Sequence, residues 1–126
     1  MNIFVKAIPH SQQRYPTCGD WWFEDGTLQI RVSEEMSWQS QQLVVLHELA
    51  EVMMCQANGI SQKQVDEFDM NFEANRKPDD ESEPGDSPQA PYQKQHNIAT
   101  GIERIVCAQM GLAWSDHEAD VNKLFE

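Results

Sequence analysis

The chain has 126 residues, 40% of them apolar, and a formal net charge of −12. That length supports one compact domain rather than two. Such acidity disfavours binding to bare nucleic acid or to an anionic membrane, and no apolar run approaches the ~18 residues of a membrane span. Residues 2–8, NIFVKAI, alternate enough for a strand, with Ile3, Val5 and Ala7 on one face. HSQQRYPTCG (10–19) reads as a loop. DWWFEDGTLQIRVS (20–33) reads as a hairpin: Asp25-Gly26 is a turn signal flanked by Trp21/Phe23 and by Leu28/Ile30/Val32 at period two. A helix follows, with Ser33 or Ser37 to cap it and Gly59 to stop it. Its Leu43, Leu46, Ala50, Met53 and Ala57 form one stripe. Val44, Val45, Leu49 and Val52 spread apolar character around most of the cylinder, the pattern of a central, buried helix.

Ser61 and Gln64 form a capping box for a second helix, with Val65, Phe68 and Phe72 facing inward and Asp66, Asp69 and Glu73 facing out. Residues 75–93 hold four prolines and five acids, which predicts a long, mobile, acidic loop. A third helix is expected from His96 or Asn97 to Gly111, with Ile98, Ile102, Ile105 and Gln109 along one stripe. Ser115 and Glu118 read as the capping box of a short last helix carrying Val121, Leu124 and Phe125. The expected fold is a single α+β domain over residues 1–126. A short N-terminal antiparallel sheet packs on a buried helix, and two or three helices follow.

The chemistry sits in LVVLHELAEVMMC (43–55), where His47, Glu48 and Glu51 interrupt an apolar run. Burying charged groups without partners costs several kcal/mol, about 2–7 even for an uncharged polar group, so these three need a reason to be there. His47 and Glu51 are related as i, i+4 and share one helix face. An imidazole nitrogen and a carboxylate oxygen are both zinc ligands. Glu48 lies about 100° round the helix from His47, an offset that lets a general base reach a water on the metal without ligating the metal itself. This is the logic of HExxH, with glutamate in the second ligand place. The structural alternative is an i, i+4 pair of His47 and Glu51 at the edge of the buried face, with Glu48 solvated.

A third ligand is required. Of His10, His96 and His117, His96 is the best candidate, because it opens a helix that must pack on the motif helix. His10 sits at a strand end and His117 in an exposed first turn. Downstream of His96, Thr100, Glu103 and Cys107 follow at helical spacing. Glu103 can orient a ligand from outside the metal's coordination sphere or replace Glu51 as ligand. Tyr92 is expected at the surface near the site mouth. Cys55 and Cys107 are expected as packed thiols rather than soft ligands, and Trp21, Trp22 and Trp38 as hydrophobic packing.

The HELAE motif and the order strand, hairpin, motif helix, further helices resemble the zincin-type metallopeptidases. The chain is most similar to the very small zincin-like proteins of phage and mobile elements, in which a shorter helix opening with a histidine follows the motif helix, as HNIATGIERIV does here. The resemblance spans residues 20–112 in architecture and is specific over Leu43–Met54. It implies Zn²⁺ held by His47, Glu51 and His96, Glu48 as general base, and hydrolysis of a peptide or amide bond. Glu51 departs from the motif, which implies a different metal preference or a degenerate site. The rival expectation is a non-catalytic acidic phage or mobile-element protein that binds a host or virion protein, with HELAE structural. Residues 66–86 support it by carrying nine acids against Arg76 and Lys77. MNIFVKAIPH lacks the charged start and long apolar core of a secretory signal. Three cysteines without CxxC spacing fit free thiols in a reducing cytoplasm.

Overall fold

A computed structural model describes residues 1–126. Three strands come first: β1 (Asn2–Ile8), β2 (Gly19–Glu24) and β3 (Thr27–Ser33). Four helices follow: α1 (Trp38–Ala57), α2 (Gln62–Ala74), α3 (Gln93–Gln109) and α4 (Trp114–Asn122). The α+β class read from the sequence is the class observed. The hairpin of β2 and β3 is antiparallel, from Gly19 opposite Val32 to Glu24 opposite Thr27. Its turn has positive φ at both Asp25 (49°) and Gly26 (77°), which is why an Asp-Gly pair makes it. β1 adds to the free side of β3 in parallel, from Asn2 opposite Thr27 to Ile8 opposite Ser33, so the sheet is mixed, in the order β1-β3-β2. The central strand supplies three fully buried apolar residues, Leu28, Ile30 and Val32.

Local chemistry sets the helix limits. Ser37, not Ser33, caps α1, its side chain accepting from the Ser40 N–H. At the other end Gly59 takes φ 71°. The Ile60 N–H then bonds to the Cys55 carbonyl at 2.9 Å and the Gly59 N–H to that of Gln56 at 3.3 Å, a Schellman stop that favours glycine at that position. The Ser61–Gln64 capping box opens α2 as expected.

The phase of α1 corrects the expectation. Met53 and Ala57 of the predicted stripe are exposed. The buried face is Ser40, Leu43, Val44, His47, Glu48, Glu51, Val52 and Cys55. Val52 and Cys55 join the larger apolar core with Trp21, Leu28, Ile30 and Tyr92, and Val44 joins a smaller one with Val32 and Met36. The polar triplet therefore lies on the inward face, where His47 and Glu51 find partners. The same inversion holds in α3. This helix starts at Gln93, before His96, and buries Gln95, His96, Ala99, Glu103 and Cys107, while Ile98 and Ile105 of the expected stripe face solvent.

The expectations for the α4 cap and for Trp38 also change. The N-cap of α4 is Ala113, so Ser115 lies inside the first turn and does not cap it. Trp38 is 63% exposed and packs little. Residues 75–93 contain a 3-10 turn at Pro84–Asp86 and bury Gly85, Ala90 and Tyr92. The three cysteines are free, with Cys55 and Cys107 buried. No helix is long and apolar enough to cross a membrane.

Candidate metal centre

α1 and α3 lie side by side, and their inward faces bring His47, Glu51 and His96 together. His47 Nε2 lies 3.1 Å from Glu51 Oε2 and 3.2 Å from His96 Nδ1. The third edge, His96 Nδ1 to Glu51 Oε2, is 3.1 Å. Three donor atoms on tetrahedral zinc, with bonds of about 2.0–2.2 Å, are about 3.3 Å apart. The triangle therefore matches one face of a coordination tetrahedron to within a few tenths of an ångström. All three residues are buried.

Two of the three donors are also oriented from behind. The His47 Nδ1–H donates to Glu103 Oε1 at 2.8 Å, so Nε2 is the nitrogen turned to the triangle. The Trp21 Nε1–H donates to Glu51 Oε1 at 3.1 Å, leaving Oε2 for the same point. Outer groups of this kind fix the tautomer and direction of metal ligands. Glu103 itself is held by the His117 ring, which bonds to its other oxygen. The far nitrogen of His117 meets Ser40 Oγ at 2.8 Å. A chain Ser40–His117–Glu103–His47 thus runs behind the triangle from α1 through α4 and α3 and back.

Charge explains why these groups tolerate burial. Burial opposes ionisation of Glu51, but hydrogen bonds from His47 and His96 overcome it and hold its carboxyl down at about 2. Burial likewise opposes a charge on His96, yet the carboxylates of Asp86, Glu51 and Glu83 push its pKa up to about 12. His47 also goes up against burial, through Glu103 and Glu51. Glu103 is lowered by His117 and His47 despite burial. A cation placed in the triangle would have to displace any proton on these ring nitrogens.

Glu48 is different. Burial, then the neighbouring charge of Glu51, pushes its carboxyl well above the usual range. No hydrogen bond reaches its carboxylate. It opens onto a cavity of about 540 Å³ that it shares with His47, Glu51 and His96. Gly19, at the start of β2, crosses directly above it: a Cβ there would sit 2.4 Å from Val44 Cγ1 and 2.8 Å from Glu48 Oε1. Only a glycine lets the strand pass so close. On another wall Asp69 accepts from Tyr15 at 2.8 Å and from Tyr92. Burial drives the pKa of Asp69 up to about 7, although Tyr92 and Tyr15 partly offset it.

The structure thus brings His47, Glu48, Glu51, His96 and Glu103 to one place. His10 is apart, bonded to Ser33 Oγ at 2.8 Å. Three expectations fail here. His117 is 2% exposed, not a surface residue. Its spacing from Trp114 and Val121, on one apolar stripe of α4, was the available signal. Tyr92 is buried rather than superficial, and Asp69 is buried rather than part of a solvated acidic face. Their pairing joins residues 23 positions apart, and no local pattern announces it. Cys55 and Cys107 stay outside the triangle, Cys107 donating to the Leu112 carbonyl at 3.3 Å. No family model, curated protein or solved structure matches the chain.

Proposed function

We propose that the chain is a small zinc-dependent hydrolase of peptide or amide bonds, of the phage and mobile-element type that its HELAE motif resembles. The observation that carries the reading is the triangle of His47 Nε2, Glu51 Oε2 and His96 Nδ1, with edges of 3.1, 3.1 and 3.2 Å. The donor set of two imidazoles and one carboxylate suits zinc. When bound, Zn²⁺ supplies Lewis acidity, polarising a carbonyl oxygen and acidifying water.

The chain's own residues do the rest. His47, Glu51 and His96 hold the ion, and Glu103 and Trp21 keep His47 and Glu51 aimed at it. Glu48 takes the proton of the attacking water and passes it to the leaving nitrogen. Its freedom from hydrogen bonds leaves its oxygens available for that transfer. The substrate chain lies in the cavity between β2 and the 76–86 segment. The free thiols fit a reducing, cytoplasmic setting. A purely structural network, as in an acidic binding protein, accounts for His47, Glu51, His96 and Glu103, all of which have partners. Glu48, 9% exposed, without a hydrogen-bond partner and open to the cavity, favours the catalytic reading.

The test is Glu48→Gln, assayed on peptide libraries with zinc-loaded protein. Zinc content and melting temperature should be nearly unchanged, while hydrolysis falls by about 10²–10⁴-fold, as expected for loss of a general base. Loss of zinc with the substitution would make Glu48 a ligand and refute the assignment.

A further inference from the structure

The triangle uses only one side of the His96 ring. Nε2 points the other way and has no hydrogen-bond partner, although His96 is only 4% exposed. Two carboxylate oxygens nevertheless close on it, Glu83 Oε2 at 3.1 Å and Asp86 Oδ1 at 3.2 Å. Neither stands where the N–H direction would make it an acceptor. For a histidine proton this is a poor arrangement. For a shared cation it is a natural one, because ligands of one ion lie off each other's bond axes. Both separations from Nε2 match a coordination edge, about 3.3 Å for tetrahedral zinc. The three donor atoms lie within 4.8 Å of one another.

The turn that carries the acids is shaped to the ring. Gly85, between them in sequence, is buried against it, and a Cβ there would lie 2.3 Å from His96 Cγ. The Glu83 N–H donates to Asp86 Oδ2 at 3.2 Å, which leaves Oδ1 turned to His96. Glu83 and Asp86 are each about half exposed, at 51% and 52%, so an ion can reach them from solvent.

We propose that the outer face of His96 is a second divalent-cation site, in which Glu83, Asp86 and His96 Nε2 hold a transition-metal ion such as Zn²⁺. It rests on the inner-site reading above, with His96 bridging the two positions. Ligation through both nitrogens requires His96 to release its remaining ring proton to solvent as the outer ion arrives, and the ion's charge replaces that proton. Two carboxylates and an imidazole suit zinc or manganese better than calcium, which takes six to eight oxygens. The outer ion would also tie the Pro84–Asp86 turn to α3 and fix the acidic segment over the cavity.

Equilibrium dialysis of the tag-free full chain against Zn²⁺, followed by metal quantification, tests this. Wild type should hold two ions per chain, and Glu83→Gln/Asp86→Asn one, with an unchanged circular dichroism spectrum. His47→Ala should keep the outer ion alone. One ion in both wild type and the double variant would overturn the outer site and leave the inner reading standing. Two ions in both would overturn its location. One ion in wild type that the double variant loses would overturn the inner reading and the bridge together, as would none in either.

Discussion

Glu103 never touches the proposed ion, so its substitution tests whether the chain behind His47 acts on the metal. Glu103→Gln keeps the shape and one acceptor oxygen. The His47 Nδ1–H, 2.8 Å from Glu103 Oε1, can still donate to that oxygen. The new amide N–H₂ then faces His117 Nε2, which accepts if His117 moves its proton to Nδ1 and donates to Ser40 Oγ, now 2.8 Å away. The network therefore survives with a neutral centre. Two charge-assisted bonds become neutral ones, a loss of about 1–3 kcal/mol in folding stability, or a fall in melting temperature of roughly 4 °C per kcal/mol at this size. Zinc should suffer separately. Losing a carboxylate behind a ligating histidine costs about 10–100-fold in metal affinity, which is about 1.4–2.7 kcal/mol. Glu103→Ala should be worse for folding, since it orphans two buried ring nitrogens at about 1–3 kcal/mol each. Competition with a chromophoric chelator gives the affinities, and thermal melts in chelator give the apo stabilities. Wild-type zinc affinity in Glu103→Gln would refute the claim that the charge of Glu103 acts on the metal through His47.

Two further outcomes follow from the same geometry. Glu51→His rebuilds HExxH and should hold zinc as tightly or more tightly. It strands the Trp21 Nε1–H, now 3.1 Å from Glu51 Oε1, at about 1–3 kcal/mol of stability; loss of zinc in chelator titrations would count against Glu51 as a ligand. The Asp69 carboxyl, raised by burial from 3.8 to about 7, predicts a pH effect whose sign is fixed by proton uptake. Between those values the folded chain keeps a proton that the unfolded chain has lost, so this contribution is full below 3.8 and is lost as the pH rises to 7. Urea unfolding of wild type and Asp69→Asn should thus diverge across that window, the variant gaining relative stability toward neutral pH. Parallel pH profiles would show that Asp69 ionises normally.

What was legible in the sequence was local. Asp25-Gly26, Ser37, the Ser61–Gln64 box and Gly59 each mark an element's limit by backbone chemistry within a few residues. The motif residues were legible too, because His47, Glu48 and Glu51 are out of place in an apolar run. The inward faces of α1 and α3 were not. Periodicity assumes that the apolar side goes in, but here His47, Glu51 and Glu103 pair across the two helices and take the inward positions, while Met53 and Ile105 go out. His117, Tyr15 and Tyr92 were missed for a related reason: their partners are Glu103, Ser40 and Asp69, distant in sequence.

The central claim is that His47, Glu51 and His96 form a metal centre. The most direct measurement is zinc affinity and stoichiometry of tag-free Glu83→Gln/Asp86→Asn protein, in which only the inner triangle remains, with and without His47→Ala. The account predicts one zinc per chain in the first protein, with chelator lowering its melting temperature. A thousandfold excess over Kd would add about 4 kcal/mol of stability. With His47→Ala added, zinc should fall to none and the chelator shift should vanish. Equal zinc in both proteins, or none in either, would contradict it.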